Sequence, residues 1–577
     1  MSVAEDDGAT SFEVDFGALV DSFRDAYQYM PMSVERYLLL ILVPSSAFGV
    51  FLIIAVALLQ PPLMVSMPMA LLAVFMPFVA LVYPKVVQDR HRKEIRERFH
   101  LFITHLTVLS TTNINRVEVF RTLAHEKEYA ALAEEMGYIV GLIDTWNQSL
   151  EDACRMRAKH VPSPLMRDFL ERLAYIVGAG QEMSDFLLTE QDSIIQHFAV
   201  RYEADLDKLS LFKDLYLSMI LSSTFALVFA IVIPFILGID PRMALIGVIF
   251  LYVFVQAVFL YLMNNIAPYD PVWYLSKEQS LSRNVRIRIS LMVAIGLSLF
   301  LIAATYAVLS GFTPVAPDAI PLPFYLAIPF TPLLLPGFVT RREEKSVKNR
   351  DSEFPSFIRA LGAVESVKQS STSNVLKSLQ KKDFGSLSEN ITHLYRRLNI
   401  RIDSTRSWRL FAGETGSYLI QKFSDMYVIG RRMGGEPRRL GELISKNMTE
   451  VLKLRERRQQ ETGTVIGVVY GVTATSAFAF FMGLEIIRML TDITAQMNVN
   501  ASLIGSLLHA EVYDLPEIQF MLFAVVLLNS LLSSLMIRVV DRGHTLTGLL
   551  HFVTLTWISA ATAVATQKLI QSFISIG

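Results

Sequence analysis

FHLFITHLTVL (residues 99–109) returns as FPSFIRALGAV (residues 354–364), and this recurrence decides the fold. Phe99, Phe102, Ile103, Leu106 and Leu109 align with Phe354, Phe357, Ile358, Leu361 and Val364 at a constant offset of 255. Their spacing, i, i+3, i+4, i+7, is the buried face of one helix. The same offset carries Tyr129, Leu132, Met136, Ile139 and Ile143 onto Phe384, Leu387, Ile391, Leu394 and Leu398, and Gly180 onto Gly435. It also pairs Pro62 with Pro317 and Pro77 with Pro332. Unrelated amphipathic helices match at any turn-sized shift. One offset held across helices, loops and prolines predicts a parallel internal duplication.

What surrounds these stretches is apolar. The chain of 577 residues is 52% hydrophobic and 19% charged, with a mean hydropathy of +0.40, the composition of a membrane protein. Nine runs of spanning length occur at 37–59, 63–83, 216–237, 242–263, 288–309, 321–338, 463–487, 518–537 and 546–568. Backbone polar groups in lipid bond within their own segment, so these runs are helices. The sixth, PLPFYLAIPFTPLLLPGFV, is short and proline-rich and predicts a kink. The fold class is therefore an all-α polytopic membrane protein with about nine spans and two helical bundles in parallel duplication. An acidic arm, 1–36, precedes spans 1–2 (37–83), the first bundle (84–215) and spans 3–4 (216–263). Spans 5–6 (288–338), the second bundle (339–462) and spans 7–9 (463–568) follow. The acidic first residues carry no basic region or cleavage pattern of a signal peptide. A single cysteine, Cys154, excludes an internal disulfide and reads as a small buried apolar residue.

Net charge is −1, so only its distribution is informative. The turns at 60–62, 238–241 and 310–320 hold no Lys or Arg and are taken as the outer ones. Lys and Arg concentrate at 85–98, 277–286, 341–348 and at Arg538 and Arg542. The positive-inside rule then puts the N-terminus and both bundles in the cytoplasm and the C-terminus outside. The bundles differ: residues 84–215 hold 17 Lys+Arg against 21 Asp+Glu, and residues 340–462 hold 25 against 15. That asymmetry suggests two unlike binding faces.

YVIGRRMGGEPRRLGELI (residues 427–444) sits in the basic bundle. It lacks the Lys-Ser/Thr of a phosphate loop and the aromatic stacking of a nucleic-acid site. Gly434 and Gly435 end one helix and Pro437 begins the next, so Arg431, Arg432, Arg438 and Arg439 bracket a corner suited to an acidic protein partner. Gly463, Gly467 and Gly471 share one face of the seventh span and read as a helix-packing seam, within the chain or between two copies. The first six spans have no ionisable residue in their interiors; Glu485 and Arg488 stand one turn apart in the seventh and His551 near the start of the ninth. The lack of ionisable residues inside the first six spans disfavours an ion-coupled transporter. His100 and His105 do not share a helix face, and no catalytic, metal or cofactor constellation appears.

With these residues in view, the repeated FHLFITHL and FPSFIRAL openings, the VGAGQEMSDFL and MGGEPRRLGEL closings and the spans after each resemble the type II secretion system F-domain family. The full layout is similar to its archaellum assembly-platform branch. The resemblance covers essentially everything past residue 35. It implies a non-enzymatic platform under a type IV pilus-like filament, without cofactor. Its implied partners are a cytoplasmic hexameric secretion or motor ATPase, archaellin or pilin-like subunits, other motor components and, admissibly, a second copy; nucleic acid is not among them. The resemblance leaves archaellum and adhesion pilus or secretion platform both open. A membrane transporter, which would need a polar midplane site, is the alternative of another class.

Overall fold

The computed structural model describes residues 34–59, 63–237, 241–274, 281–312, 316, 320–368, 372–496 and 515–576. Their regular structure is helical, apart from one isolated bridge between Trp273 and Ser417. The chain divides into two compact units: residues 1–110 with 114–191, and residues 111–113 with 192–577.

In the first unit a π-turn, Leu38–Leu42, leads into α1 (Val43–Leu59), followed by α2 (Leu63–Ser110). Next come α3 (Arg116–His125), α4 (Ala131–Trp146), α5 (Leu150–Ala158) and α6 (Pro164–Gly178). The predicted face of α2, Phe99, Phe102, Ile103, Leu106 and Leu109, is buried, as are Leu123, Tyr129, Met136, Phe169 and Leu187, and the Phe99 ring meets that of Phe169 edge to face. The Phe102 and Tyr129 rings cross edge to face, 5.7 Å between centroids. Inside this bundle, Glu135 accepts from Arg157 Nε at 2.5 Å and Nη2 at 3.0 Å, and lies 3.5 Å from His91. Burial works to raise the Glu135 carboxyl, but hydrogen bonds from His91 and Arg157 outweigh it and hold the group below its ordinary value. A depressed carboxylate contributes stability that is present above the unfolded value, near pH 4.3, and is lost as pH falls through the folded one. Glu135→Gln should therefore cost the first unit about 3 kcal/mol at pH 7 by stranding Arg157. Amide hydrogen exchange of α4 and α5 reads this, and the difference from wild type should shrink below about pH 4.

Helix α7 (Met183–Leu237) contributes residues 183–191 to the first unit and the remainder to the second. The second unit continues with α8 (Pro241–Ile266), α9 (Leu281–Leu309) and α10 (Leu322–Ala327). A 3₁₀ segment, Ile328–Leu333, joins α10 to α11 (Leu334–Lys368). The sixth apolar run is thus broken: Pro329 and Pro332 lack the N–H groups an α-ladder needs, and the turn tightens. The second bundle adds α12 (Thr372–Leu379), α13 (Ser388–Asn399), α14 (Ser404–Thr415) and α15 (Tyr418–Arg432) to the polar parts of α11 and α16 (Pro437–Gln496). α17 (Leu515–Asp541) and α18 (Thr547–Ile576) close the chain.

The element order of the first bundle recurs in the second. Phe357 and Phe384, the offset-255 counterparts of Phe102 and Tyr129, repeat the edge-to-face pair at 5.5 Å. The offset changes by one residue before the last helices. Ser163 and Ser417 are the N-caps of α6 and α15, and α6 ends at Gly178 where α15 ends at Arg432. Gly180 therefore corresponds to Gly434, not to Gly435 as the constant offset implied. Both have positive φ, +73° and +87°. Both sit in the same closing turn, with Gln181 N–H bonded to Ile176 O and Gly435 N–H to Gly430 O. A left-handed residue here is what ends a helix in this motif, so the conformation rather than the spacing fixes the alignment.

Among the described residues eight helices are long and apolar enough to cross a membrane, against the nine runs expected. The expected run at 63–83 lies on α2, where most side chains are outside the described residues, as are the acidic arm up to residue 33, Pro62 and Pro317. In the second unit α7, α8, α16 and α17 share one apolar core, with Tyr216, Leu227, Tyr252, Phe259, Val469, Phe480, Leu522 and Val526 buried. Its few polar groups are joined to one another. Thr224 and Ser476 hydroxyls lie 2.9 Å apart, and Tyr252 Oη and Gln256 Nε2 both donate to Asn529 Oδ1, at 3.1 and 2.6 Å. Hydrogen bonds of this kind hold helices together where apolar surface has no solvent drive to associate.

Candidate functional site

The arginine corner is built from α11 outward. Helix α15 is capped at its start by the Ser417 hydroxyl, which accepts from Ile420 N–H at 3.1 Å. It ends at Arg432, and Pro437 is the first residue of α16, as the sequence implies. Below the corner lies Glu365 of α11, 4% exposed. Its carboxylate accepts from Tyr427 Oη at 2.7 Å and from Arg431 Nε and Nη2 at 3.2 and 2.9 Å. Burial, and then the adjacent Glu365 carboxylate, push the Tyr427 hydroxyl well above its ordinary value, so it stays a donor. The third arm of Arg431, Nη1, donates to Gly435 O at 2.8 Å.

The four arginines therefore divide. Arg431 is a strut that ties the Gly434–Gly435 turn to Glu365. Arg432, Arg438 and Arg439 are exposed. Arg438 pairs one helical turn away with Glu442 at 3.0 Å, with both side chains open to solvent, and such a pair yields easily to a partner. What the corner offers is an exposed, positively charged edge.

Two further glycines, besides Gly434 and Gly435, hold the corner in place. A Cβ built on Gly362 of α11 would stand 2.3 Å from the Pro437 carbonyl oxygen, and one on Gly441 of α16 would stand 2.8 Å from that of Ile358. Backbone meets backbone at this crossing, and α16 starts there. By contrast, Gly463, Gly467 and Gly471 are exposed, and a Cβ on any of them meets nothing within 4 Å. The seam they were expected to form is not made within the chain among the described residues.

Other sequence features fall as follows. Arg488 Nη1 donates to Glu485 Oε1 at 2.8 Å and Nη2 to Gln519 Oε1 at 2.7 Å. His551 Nδ1 is 2.9 Å from Tyr470 Oη. Cys154 is buried. Among the described residues no group of three or more His, Cys, Asp or Glu could hold a metal ion.

Spacing missed a buried ion network of the second unit. The segment 267–274 after α8 lies against the start of α15: Tyr274 N–H donates to Gly416 O at 2.8 Å and Tyr418 N–H to Val272 O at 3.1 Å. Beside it Arg455 of α16 donates to both oxygens of Asp270, at 2.7 and 2.6 Å, to Pro271 O at 2.9 Å and to Asp351 Oδ2 at 2.7 Å. The Ser417 hydroxyl donates to Asp351 as well. Burial opposes charge on Arg455, yet Asp270 and Asp351 more than offset it and keep the guanidinium firmly protonated. In the sequence Arg455 is one of several basic residues in LRERR, and nothing in its spacing marks it as the buried one.

Comparison with known proteins finds one F domain, over the first bundle and the span after it, where the sequence reading expected two. The family model described as type II secretion system protein F matches residues 102–232. The chain is 33% identical over 545 residues to flagella accessory protein J of Methanocaldococcus jannaschii, covering 94% of this chain and 96% of that one. It is 34% identical over 498 residues to flagella accessory protein J of Methanococcus voltae, covering 86% and 89%. No solved structure matches.

Proposed function

The chain belongs to the flagella accessory protein J family, which carries the F domain of type II secretion systems, and from that membership we propose that it is the membrane platform of an archaellum. In this reading it couples a cytoplasmic hexameric ATPase to the insertion of archaellin-like subunits from the membrane, and to rotation of the filament. The chain performs no catalysis of its own. The observation that carries the reading is likeness over 94% of the chain, which takes in both bundles and the spans between and after them. The distribution of Lys and Arg supports an orientation with the N-terminus and both bundles in the cytoplasm and the C-terminus outside. Polar groups buried among α7, α8, α16 and α17 bond one another, which favours packing over a substrate path.

The exposed arginines of the corner supply the docking edge for the ATPase. Arg432→Glu/Arg438→Glu/Arg439→Glu should weaken binding of the purified ATPase to the detergent-solubilised chain by about tenfold or more, and flatten its salt dependence. Arg431 is left alone, since reversing it would strand Glu365. Unchanged affinity removes the corner from the interface. Co-purification from native membranes tests the whole reading. The ATPase with archaellum components is the expected result, adhesion-pilus components change the filament, and absence of any ATPase from a folded preparation rejects the platform role.

The open face of Gly463, Gly467 and Gly471 is proposed as a seam with a second copy. Replacing all three with leucine should leave the chain folded and halve the protein mass per detergent particle. An unaltered particle mass excludes this face as the seam.

A further inference from the structure

Each bundle turns one corner through a left-handed residue, and each leaves one large apolar side chain outside its core there. Helix α4 ends at Trp146, and Asn147 follows in the left-handed region at φ +51°. Helix α13 ends at Asn399; Ile400 and then Arg401, at φ +59°, follow. Counting back 254 residues, Ile400 corresponds to Trp146 and Arg401 to Asn147. The following N-caps correspond too: Ser149 accepts from Asp152 N–H, and Asp403 from Arg406 N–H. Trp146 and Ile400 are each 70% exposed. A single exposed apolar residue needs no explanation. Two at the same point of two copies, with unrelated side chains and the same exposure, indicate that the position itself is used.

The surroundings have opposite charge. Residues 144–156 hold Asp144, Glu151 and Asp152 against Arg155, and the matching residues 398–410 hold Arg401, Arg406 and Arg409 against Asp403. Arg396 is exposed one turn before Ile400, and none of Arg396, Arg401, Arg406 and Arg409 enters an ion pair among the described residues. In the acidic corner Asp144 is shared with Arg121 and Glu151 with Arg155, so that rim is milder.

We propose that these corners are a matched pair of docking points for a protein partner: Ile400 enters an apolar pocket rimmed by carboxylates, and Trp146 an apolar pocket rimmed by basic groups. Basic side chains around an isoleucine would also suit an anionic membrane surface. The acidic rim around Trp146 is repelled by such a surface, whereas the apolar tip is common to both, so a protein fits the pair. Aromatic and arginine side chains are also the types that dominate protein interfaces. The proposal rests on the platform reading only for the identity of the partner.

The test places a photo-cross-linking phenylalanine analogue at position 146 or 400 of the full chain in its membrane and identifies the peptide captured. The expected result is protein adducts at both positions, with a peptide rich in Asp and Glu at 400 and one rich in Lys and Arg at 146. If the captured protein is the secretion ATPase, both readings stand. If it is another protein, the corners stand and the ATPase assignment falls. No protein adduct from a membrane-inserted chain, adducts to lipid alone, or capture at only one corner overturns the proposal. Affinity for the captured protein is then measured for Ile400→Ser, expected about tenfold weaker, and for Arg396→Glu/Arg401→Glu/Arg406→Glu, expected about a hundredfold weaker. Wild-type affinity in both also overturns it.

Discussion

Replacing Arg455 with methionine is expected to lower the stability of the second unit by about 3–5 kcal/mol, the usual cost of removing one partner from a buried ion pair. Arg455 and Asp351 have side chains 5% and 1% exposed, and Asp270 9%, so the two carboxylates would be left without solvent or a bidentate partner. Arg458 offsets only part of this: its Nη2 lies 3.4 Å from Asp270, and it makes no ion pair with Asp351. Arg455→Lys should recover only part of the loss, because an ammonium cannot hold both Asp270 oxygens and reach Asp351 together. The measurement is chemical unfolding of the detergent-solubilised chain, with hydrogen exchange read over 267–274 and 416–421. Exchange should rise in both segments together, since Arg455, Asp351 and Ser417 join them. A rise confined to α16 would mean that the network does not tie the segment to the bundle.

Gly362→Ala is expected to cost about 3 kcal/mol, the upper end of overpacking effects. The added methyl group would stand 2.3 Å from the Pro437 carbonyl oxygen and 3.2 Å from Gly441 Cα. Neither neighbour is a side chain that can swing aside, so α11 and α16 must separate. Since Pro437 opens α16, Arg438 and Arg439 would move with it, and weaker ATPase binding should accompany the stability loss. Gly463→Ala, on α16, is the control: its Cβ meets nothing within the chain, and the higher helix propensity of alanine should stabilise the chain's own fold by up to about 1 kcal/mol. Equal effects at the two positions would show that close approach at Gly362 is not what the substitution disturbs.

Much of the architecture was legible because it rests on short-range rules. Lipid forces long apolar runs into helices, and the buried faces at Phe99–Leu109 and Phe354–Val364 appear directly in the 3.6-residue period. Pro437 as a first helical residue and the proline break in the sixth run follow from proline lacking an N–H. The correspondence of Phe102 with Phe357 and of Tyr129 with Phe384 was legible at the offset of 255; that the rings of each bundle meet edge to face was not, since ring geometry is set only on packing. The single-residue change of offset before α6 and α15 was not, because Gly434 and Gly435 are chemically identical and only backbone conformation tells which one ends the helix.

The site divides along the same line. Sequence by itself established that four arginines flank a Gly-Gly turn, because that is a matter of neighbours in the chain. Which of them are available was decided by Glu365, 66 residues before Arg431, and by the crossing of Gly362 with Pro437 and Gly441. It likewise took the tertiary structure to turn the Gly463, Gly467 and Gly471 face outward and to bury Arg455 between Asp270 and Asp351. Periodicity tells which face of a helix is small or charged; which neighbour covers that face depends on contacts between residues far apart in the chain, and those are set only when the helices pack.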